Sequence, residues 1–395
     1  MTRQQRPRRI LPVIVASQFA GTSVWFAANA VLDDLQRQWA LPEGALGYVT
    51  SSVQLGFIAG TLGFAFFTVS DRLSPRLVFF CCSILGALAN AAAIVAESYA
   101  VLLALRFATG FFLAGVYPVG MRIAAGWCRD GLGAALGFLV GALVLGTAFP
   151  HLLKGLGYAL PWDGVMLAVS CLAALGGLAM LALVPDAAPA ARAPRFDPRA
   201  LATIFRVRAF RASAFGYFGH MWELYAFWAF VPMILAAQAP DRGLNVSLWS
   251  FAVIAAGTLG CAAGGLTSLR VGSARVAFAQ LGASGLCCAV SPLLFFAPTP
   301  LFLAFLLFWG VVVVGDSPQF SALNAQSAPR ELVGSALTIA NCIGFAITIA
   351  SIQLLNAASS VIGPQWLYLI LLPGPLFGLF ALLPLMGRTR RDPAV

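Results

Sequence analysis

Twelve stretches of roughly 20 mostly apolar residues, divided by short polar breaks, run through nearly the whole chain. They fall near residues 10–32, 45–69, 77–96, 99–122, 132–153, 163–184, 212–237, 246–269, 275–297, 300–324, 332–356 and 365–386. Inside a bilayer a helix closes its backbone hydrogen bonds within itself, so each stretch predicts one spanning helix. Composition agrees: 60% of the 395 residues are hydrophobic and 10% are charged, against about 25% charged in soluble domains. No soluble fold of this length hides so much apolar surface, because surface keeps growing with mass. The expected fold class is an all-α polytopic membrane protein.

Charge sets the orientation. Lys and Arg in short loops mark the cytoplasmic side. With the amino terminus inside, 20 of the 24 Lys and Arg residues fall in cytoplasmic segments, and only Arg37, Lys154 and Arg242 face outside. Arg106 lies within a span. This asymmetry requires an even number of spans and puts both termini in the cytoplasm. A formal net charge of +10 would suggest nucleic acid in a soluble chain. Spread over loops between spans, it points to anionic lipid instead, and no nucleic-acid partner is expected. The basic start, Met1 to Arg9, leads into an apolar run without a small-residue cleavage site, which predicts a first span rather than a removed signal.

The longest polar stretch, residues 185–211, is rich in Pro, Ala and Arg and reads as a cytoplasmic linker between halves of residues 1–184 and 212–395. These halves repeat each other. Ala59-Gly60-Thr61-Leu62-Gly63 recurs as Ala256-Gly257-Thr258-Leu259-Gly260, an offset of 197. Gly110, Gly115 and Pro118 match Gly310, Gly315 and Pro318 at 200, and Arg129 and Gly133 match Arg330 and Gly334 at 201. Three blocks in register at nearly one offset predict parallel repeats of six spans. Such an architecture places a solute site near the midplane, between the halves.

On these residues the chain resembles the major facilitator superfamily of secondary transporters. The loop Ser70-Asp71-Arg72-Leu73-Ser74-Pro75-Arg76 after the second span is similar to that family's conserved loop. The resemblance implies a gating network of Asp71, Arg72 and Arg76, with Arg129 of the next cytoplasmic loop as a partner. Phe67 and Ser74 stand where the family usually has glycine, and the second-half copy keeps Arg270 and Arg275 but has no acid. Arg106-Phe107-Ala108-Thr109-Gly110 is similar to the Arg-x-x-x-Gly motif whose arginine is associated with proton-linked transport. The fifth span lacks the Gly-Pro-x-x-Gly signature of drug–proton antiporters. What the resemblance implies is two pseudo-symmetric six-helix halves in a bacterial inner membrane.

Ionisable residues inside spans are costly and mark functional sites. Glu223 lies about twelve residues into the seventh span, and His220, three residues earlier, shares its helix face. A carboxyl and an imidazole at that depth suit a proton carrier; a structural His–Glu bond is the alternative. Asp316 of the tenth span has Val116 as its first-half counterpart, so it is no by-product of the repeat. It suits a proton, a cationic group or a gating role. Arg106 suits a substrate anion or one of the acids, with a snorkelled structural arginine as the rival. Trp25, Asn29, Gln54, Tyr117, Gln319 and Asn341 lie at similar depth and are candidate solute contacts. For each, a plain helix–helix hydrogen bond is the alternative.

Other chemistries find no foothold. Eight cysteines without a Cys-x-x-Cys pair and two histidines suggest neither a disulfide framework nor a metal site. There is no phosphate loop and no Gly-x-Ser-x-Gly, so neither ATP drive, enzymatic activity nor a cofactor is expected. The expected protein is a monomeric secondary active transporter working by alternating access. Its partners are the bilayer, protons and a small polar or charged organic solute. An uncoupled facilitator, a drug-efflux antiporter, and a sensor or assembly factor on the same scaffold stay open as alternatives.

Overall fold

A computed structural model describes residues 9–42, 44–128, 132–156, 160–186, 197, 200–239 and 243–387. Among these residues the chain forms twelve helical rods and no strand. The first half comprises α1 (Ile10–Thr22, resuming as Ala27–Ala30 and Leu32–Trp39), α2 (Ala45–Phe66), α3 (Pro75–Ala92), α4 (Tyr99–Leu113, resuming as Tyr117–Trp127), α5 (Leu132–Leu156) and α6 (Trp162–Leu183). The second comprises α7 (Arg208–Gln238), α8 (Val246–Val271), α9 (Ser273–Phe295), α10 (Thr299–Gly315, resuming as Ser317–Ser327), α11 (Val333–Ala358) and α12 (Pro364–Leu367, continuing through the 3-10 stretch Tyr368–Leu371 into Pro373–Met386). The halves meet along two seams, α2 against α11 and α5 against α8.

Ten rods are long and apolar enough to cross a membrane. The other two fall short for different reasons, α1 by length and α7 by polar content. α1 is broken into short pieces. α7, an uninterrupted helix of 31 residues, contains Arg208, Arg211, His220 and Glu223. It starts at Arg208, ahead of its apolar run, so its first turn belongs to the polar linker.

The repeated glycines are where helix backbones touch. A Cβ on Gly110 of α4 would lie 2.0 Å from the Val53 carbonyl oxygen of α2, and one on Gly310 of α10 would lie 2.0 Å from the Val253 carbonyl oxygen of α8. Gly60 and Gly260 repeat this from the other side, against Phe111 and Val311. Lipid tails are as apolar as leucine, so spans associate through close packing, which small residues permit. The sequence repeat is thus a repeat of two contacts, α2 on α4 and α8 on α10.

Three rods break midway. Pro118 and Pro318 lack a backbone N–H and crowd the preceding turn, and α4 and α10 each break just before their proline. In α1, Thr22 Oγ1 donates to the Gln18 carbonyl (2.8 Å) and Ser23 Oγ to the Ala20 carbonyl (2.7 Å). Such hydroxyl bonds compete with the helix and bend it. The helix stops at Thr22 and resumes at Ala27.

Gly110→Val and Gly310→Val should each destabilise the protein by about 3 kcal/mol, the upper end of overpacking costs. Gly63→Ala, whose Cβ would meet nothing closer than 4.0 Å, should lie within about 0.5 kcal/mol of the parent. Thermal unfolding of the purified protein in detergent separates the two cases.

Candidate functional site

The break in α1 is held from α4. Arg106 is fully buried. Its Nη2 donates to the carbonyls of Val24 (2.9 Å) and Trp25 (2.7 Å), and its Nη1 donates to Asn90 Oδ1 of α3 (2.6 Å). Asn90 Nδ2 donates in turn to the Met166 carbonyl (3.1 Å) and Ser170 Oγ (2.9 Å) of α6. One guanidinium therefore ties four rods together, with its charge at the carbonyl end of a helix segment, where a cation is favoured. Arg106 is the only buried Lys or Arg among the described residues. Neither acid of the second half pairs with it.

Among the described residues, the second half buries one imidazole and two carboxyl groups. His220 Nδ1 lies 2.9 Å from Asp316 Oδ1, at the break of α10, a contact that becomes an ion pair when the imidazole carries a proton. The sequence left a direct His220–Glu223 bond open; the imidazole turns instead to α10. Glu223 turns to α9, where its Oε2 accepts from Ser284 Oγ (2.8 Å) and the Cys288 thiol (3.6 Å). Ser284 Oγ accepts from Trp309 Nε1 of α10 (3.0 Å). Glu223 Oε1 has no protein partner. The two carboxyls lie within electrostatic reach of each other, and all three side chains are sealed from solvent.

Between the halves lies a layer of aromatic rings. Trp25 and Phe57 come from the first half, Tyr225 and Phe345 from the second. Trp25 stacks on Tyr225 and Phe345, each at 5.8 Å between centroids, and Phe57 lies 4.4 Å from Phe345. Tyr117 of α4 is close enough to Tyr217 and Tyr225 to interact with both electrostatically. Tyr217 donates to Asn341 Oδ1 (3.0 Å). Asn29 Nδ2 donates to Thr50 Oγ1 (2.7 Å) within the first half. Gln319 is buried just past Asp316, and its backbone N–H donates to the Asp316 carbonyl. Gln54 is buried with no partner for either end of its amide.

Beyond the aromatic layer, on the face opposite the basic loops, polar contacts close both seams. Asn356 of α11 accepts from the Gly47 N–H of α2 (3.3 Å), and Gln353 donates to Ser51 (2.8 Å). Asn245, capping α8, donates to the Gly155 carbonyl of α5 (2.8 Å). Lys154 and Arg37 both pair with Asp34 on this face.

On the basic face, Arg76 pairs with Asp186 at the end of α6 (3.1 Å), and Ser74 donates to the same carboxylate (2.6 Å). Its observed bonds are thus within the first half. Arg72 is exposed. Arg129 and the side chain of Asp71 lie outside the described residues.

The family model described as Major Facilitator Superfamily matches residues 14–352. The chain belongs to that superfamily. No curated protein sequence matches it. Among solved structures it is similar to the crystal structure of the human organic anion transporter MFSD10 (TETRAN), with a TM-score of 0.71 and 16% identity over 95% of this chain and 99% of the other. At that identity the likeness speaks for the fold.

Within this major facilitator fold, several residues of the site carry no mark in the sequence. Asn90, Ser284, Cys288 and Trp309 look like ordinary span residues until their neighbours are known. Asn356 is one polar residue near a helix end, and Phe57 and Phe345 are two of 31 phenylalanines. Asn90 had one available signal: it is the one side-chain amide of the third span, next to the span that carries Arg106.

Arg106→Leu would leave two carbonyls and the Asn90 amide oxygen unpaired in the bundle. It should cost on the order of 3 kcal/mol or more, whereas Ser284→Ala should cost about 1 kcal/mol. A thermally unperturbed Arg106→Leu protein would contradict the bracing role.

Proposed function

We propose that the chain is a proton-coupled secondary transporter that moves a small organic solute by alternating access, with its basic face in the cytoplasm. The observation that carries this reading is the cluster of His220, Asp316 and Glu223 buried in the second half. Three ionisable groups at bilayer depth are retained against a cost of several kcal/mol, and their bonds join α7, α9 and α10. Loading or unloading a proton there changes what α7 can hold on to. His220 and Asp316 would share a proton across the α10 break, and Glu223, with one oxygen unpaired, would take the second role.

The seam geometry supports the access cycle. In this structure the far face is shut by Asn356 on Gly47, Gln353 on Ser51 and Asn245 on Gly155. Rocking the halves about the aromatic layer would part these contacts and shut the basic face in turn. The organic-anion label of the human neighbour finds little support here, since the one buried arginine is committed to backbone carbonyls.

Proteoliposomes loaded with a pH-sensitive dye and offered a panel of amines, carboxylates, amides and sugars test the reading. At least one class should drive proton movement in the parent and none in Glu223→Gln, while counterflow exchange survives in the variant. Solute flux without proton movement would make the protein a facilitator. Absence of flux for every class would remove the transporter reading.

The gate has its own test. A side chain at Gly47 would meet Asn356 at 2.6 Å. Gly47→Val should therefore hold the far face ajar and raise labelling of a Ser51→Cys reporter by an impermeant thiol reagent, by about tenfold on an overpacking cost of 1–3 kcal/mol. Unchanged labelling would mean that this contact does not close the seam.

A further inference from the structure

We infer that the solute is an uncharged, planar aromatic molecule with an amide-like edge, held at the seam by the Trp25 and Tyr225 rings and the Gln54 carboxamide. The inference rests on the transporter reading and adds the substrate class.

Gln54 is the first observation. It is 0% exposed, and neither its carbonyl oxygen nor its amide nitrogen has a protein partner. A buried amide left unpaired costs a few kcal/mol. On α2 it follows Gly47 by seven residues and Ser51 by three, the helical spacing of one face, and both of those residues touch α11. The amide is therefore turned to the seam, one turn from Phe57. A primary amide offers a donor beside an acceptor, and its complement is an acceptor beside a donor: a carboxamide, a lactam or a heterocycle edge.

The rings supply the second observation. Trp25 meets Tyr225 and Phe345 of the other half at interplanar angles of 29° and 23°. Rings so nearly parallel leave, once the halves part, two facing surfaces that a flat ring can bridge in place of the direct contact. The indole Nε1 of Trp25 is buried and unpaired, a second donor beside the same surface.

Charge selects against ions of either sign. Arg106 points its fork into the first half, at Val24, Trp25 and Asn90. Glu223 and Asp316 turn into the second half, at Ser284, Cys288 and His220. A carboxylate or an ammonium at the seam would thus lose its hydration without gaining a counter-charge.

One ring system in three charge states tests this: quinoline-3-carboxamide, its N-methylquinolinium cation and quinoline-3-carboxylate, titrated into the purified full-length protein by tryptophan quenching and thermal shift. The neutral carboxamide should bind at least about tenfold tighter than the carboxylate and tighter than the cation. Gln54→Leu should weaken carboxamide binding about tenfold while keeping or raising the melting temperature, because it removes an unpaired buried amide. Trp25→Leu should weaken all three probes, and Tyr225→Phe, which keeps the ring, should not. Equal or tighter binding of the carboxylate or the cation would overturn the inference. So would an unchanged carboxamide affinity in Gln54→Leu, or no saturable carboxamide binding. In proteoliposomes, exchange of the carboxylate but not the carboxamide would remove the substrate class and leave the transporter standing. Exchange of no solute in either panel would remove the transporter reading itself.

Discussion

A helix that breaks in the middle of a bilayer exposes carbonyls that no water is there to satisfy, and the architecture around α1 follows from how this chain answers that. Arg106 reaches across from α4 to the Val24 and Trp25 carbonyls, and Asn90 fixes its other nitrogen. The cost of irregular backbone at that depth is tolerable only where protein supplies the missing donors. Because the clamp falls on the carbonyl of Trp25 itself, it also fixes the backbone that presents the indole ring to the other half. Structure at the seam depends on a charge buried well behind it.

That arrangement explains which parts of the molecule were legible in sequence. Span positions follow from hydropathy, since every span must be apolar for its full length. The repeat was legible because Gly60, Gly110, Gly260 and Gly310 answer to a steric rule: backbones that touch admit no Cβ. The side-chain pairings were not. Helical spacing puts His220 and Glu223 on one face of α7, but their partners depend on which neighbouring rod each side chain meets. His220 meets Asp316 and Glu223 meets Ser284, 96 and 61 residues away in the chain. A single sequence shows that these groups are buried and expensive; it does not show the rotation of α7 against α9 and α10. For the same reason the far-face contact of Asn356 with Gly47, 309 residues apart, left no local trace.

The halves share a scaffold and differ in chemistry. At the offset of 200, Arg106 faces Leu306 in the repeat and Asp316 faces Val116. The first half carries a fixed cation that braces backbone; the second carries titratable groups that bond to one another and to hydroxyl and thiol donors. A charge used as a brace must stay put, and the rigid planar fork of Arg holds several acceptors in place at once. A group that loads and unloads protons needs partners able to accept either state, which His, Ser and Cys side chains can do.

In the proposed cycle the two kinds of site have to communicate, and α7 is the element that can carry the message. Glu223 faces α9 while Tyr225, two residues on, faces Trp25. His220 faces α10, while Tyr217, three residues earlier, bonds Asn341 of α11. Glu223 and Tyr225 thus lie on opposite faces of one helix, whereas His220 and Tyr217 are neighbours along it, their rings 6.1 Å apart. Unlike α1, α4 and α10, α7 has no midpoint break across its 31 residues. A rotation or tilt forced by a change of charge on one face must therefore move the aromatic face with it, whereas a broken rod would absorb the same displacement at its hinge. In that cycle, the contrast between three interrupted helices and the unbroken α7 would let a proton in the second half alter the fit of rings at the seam.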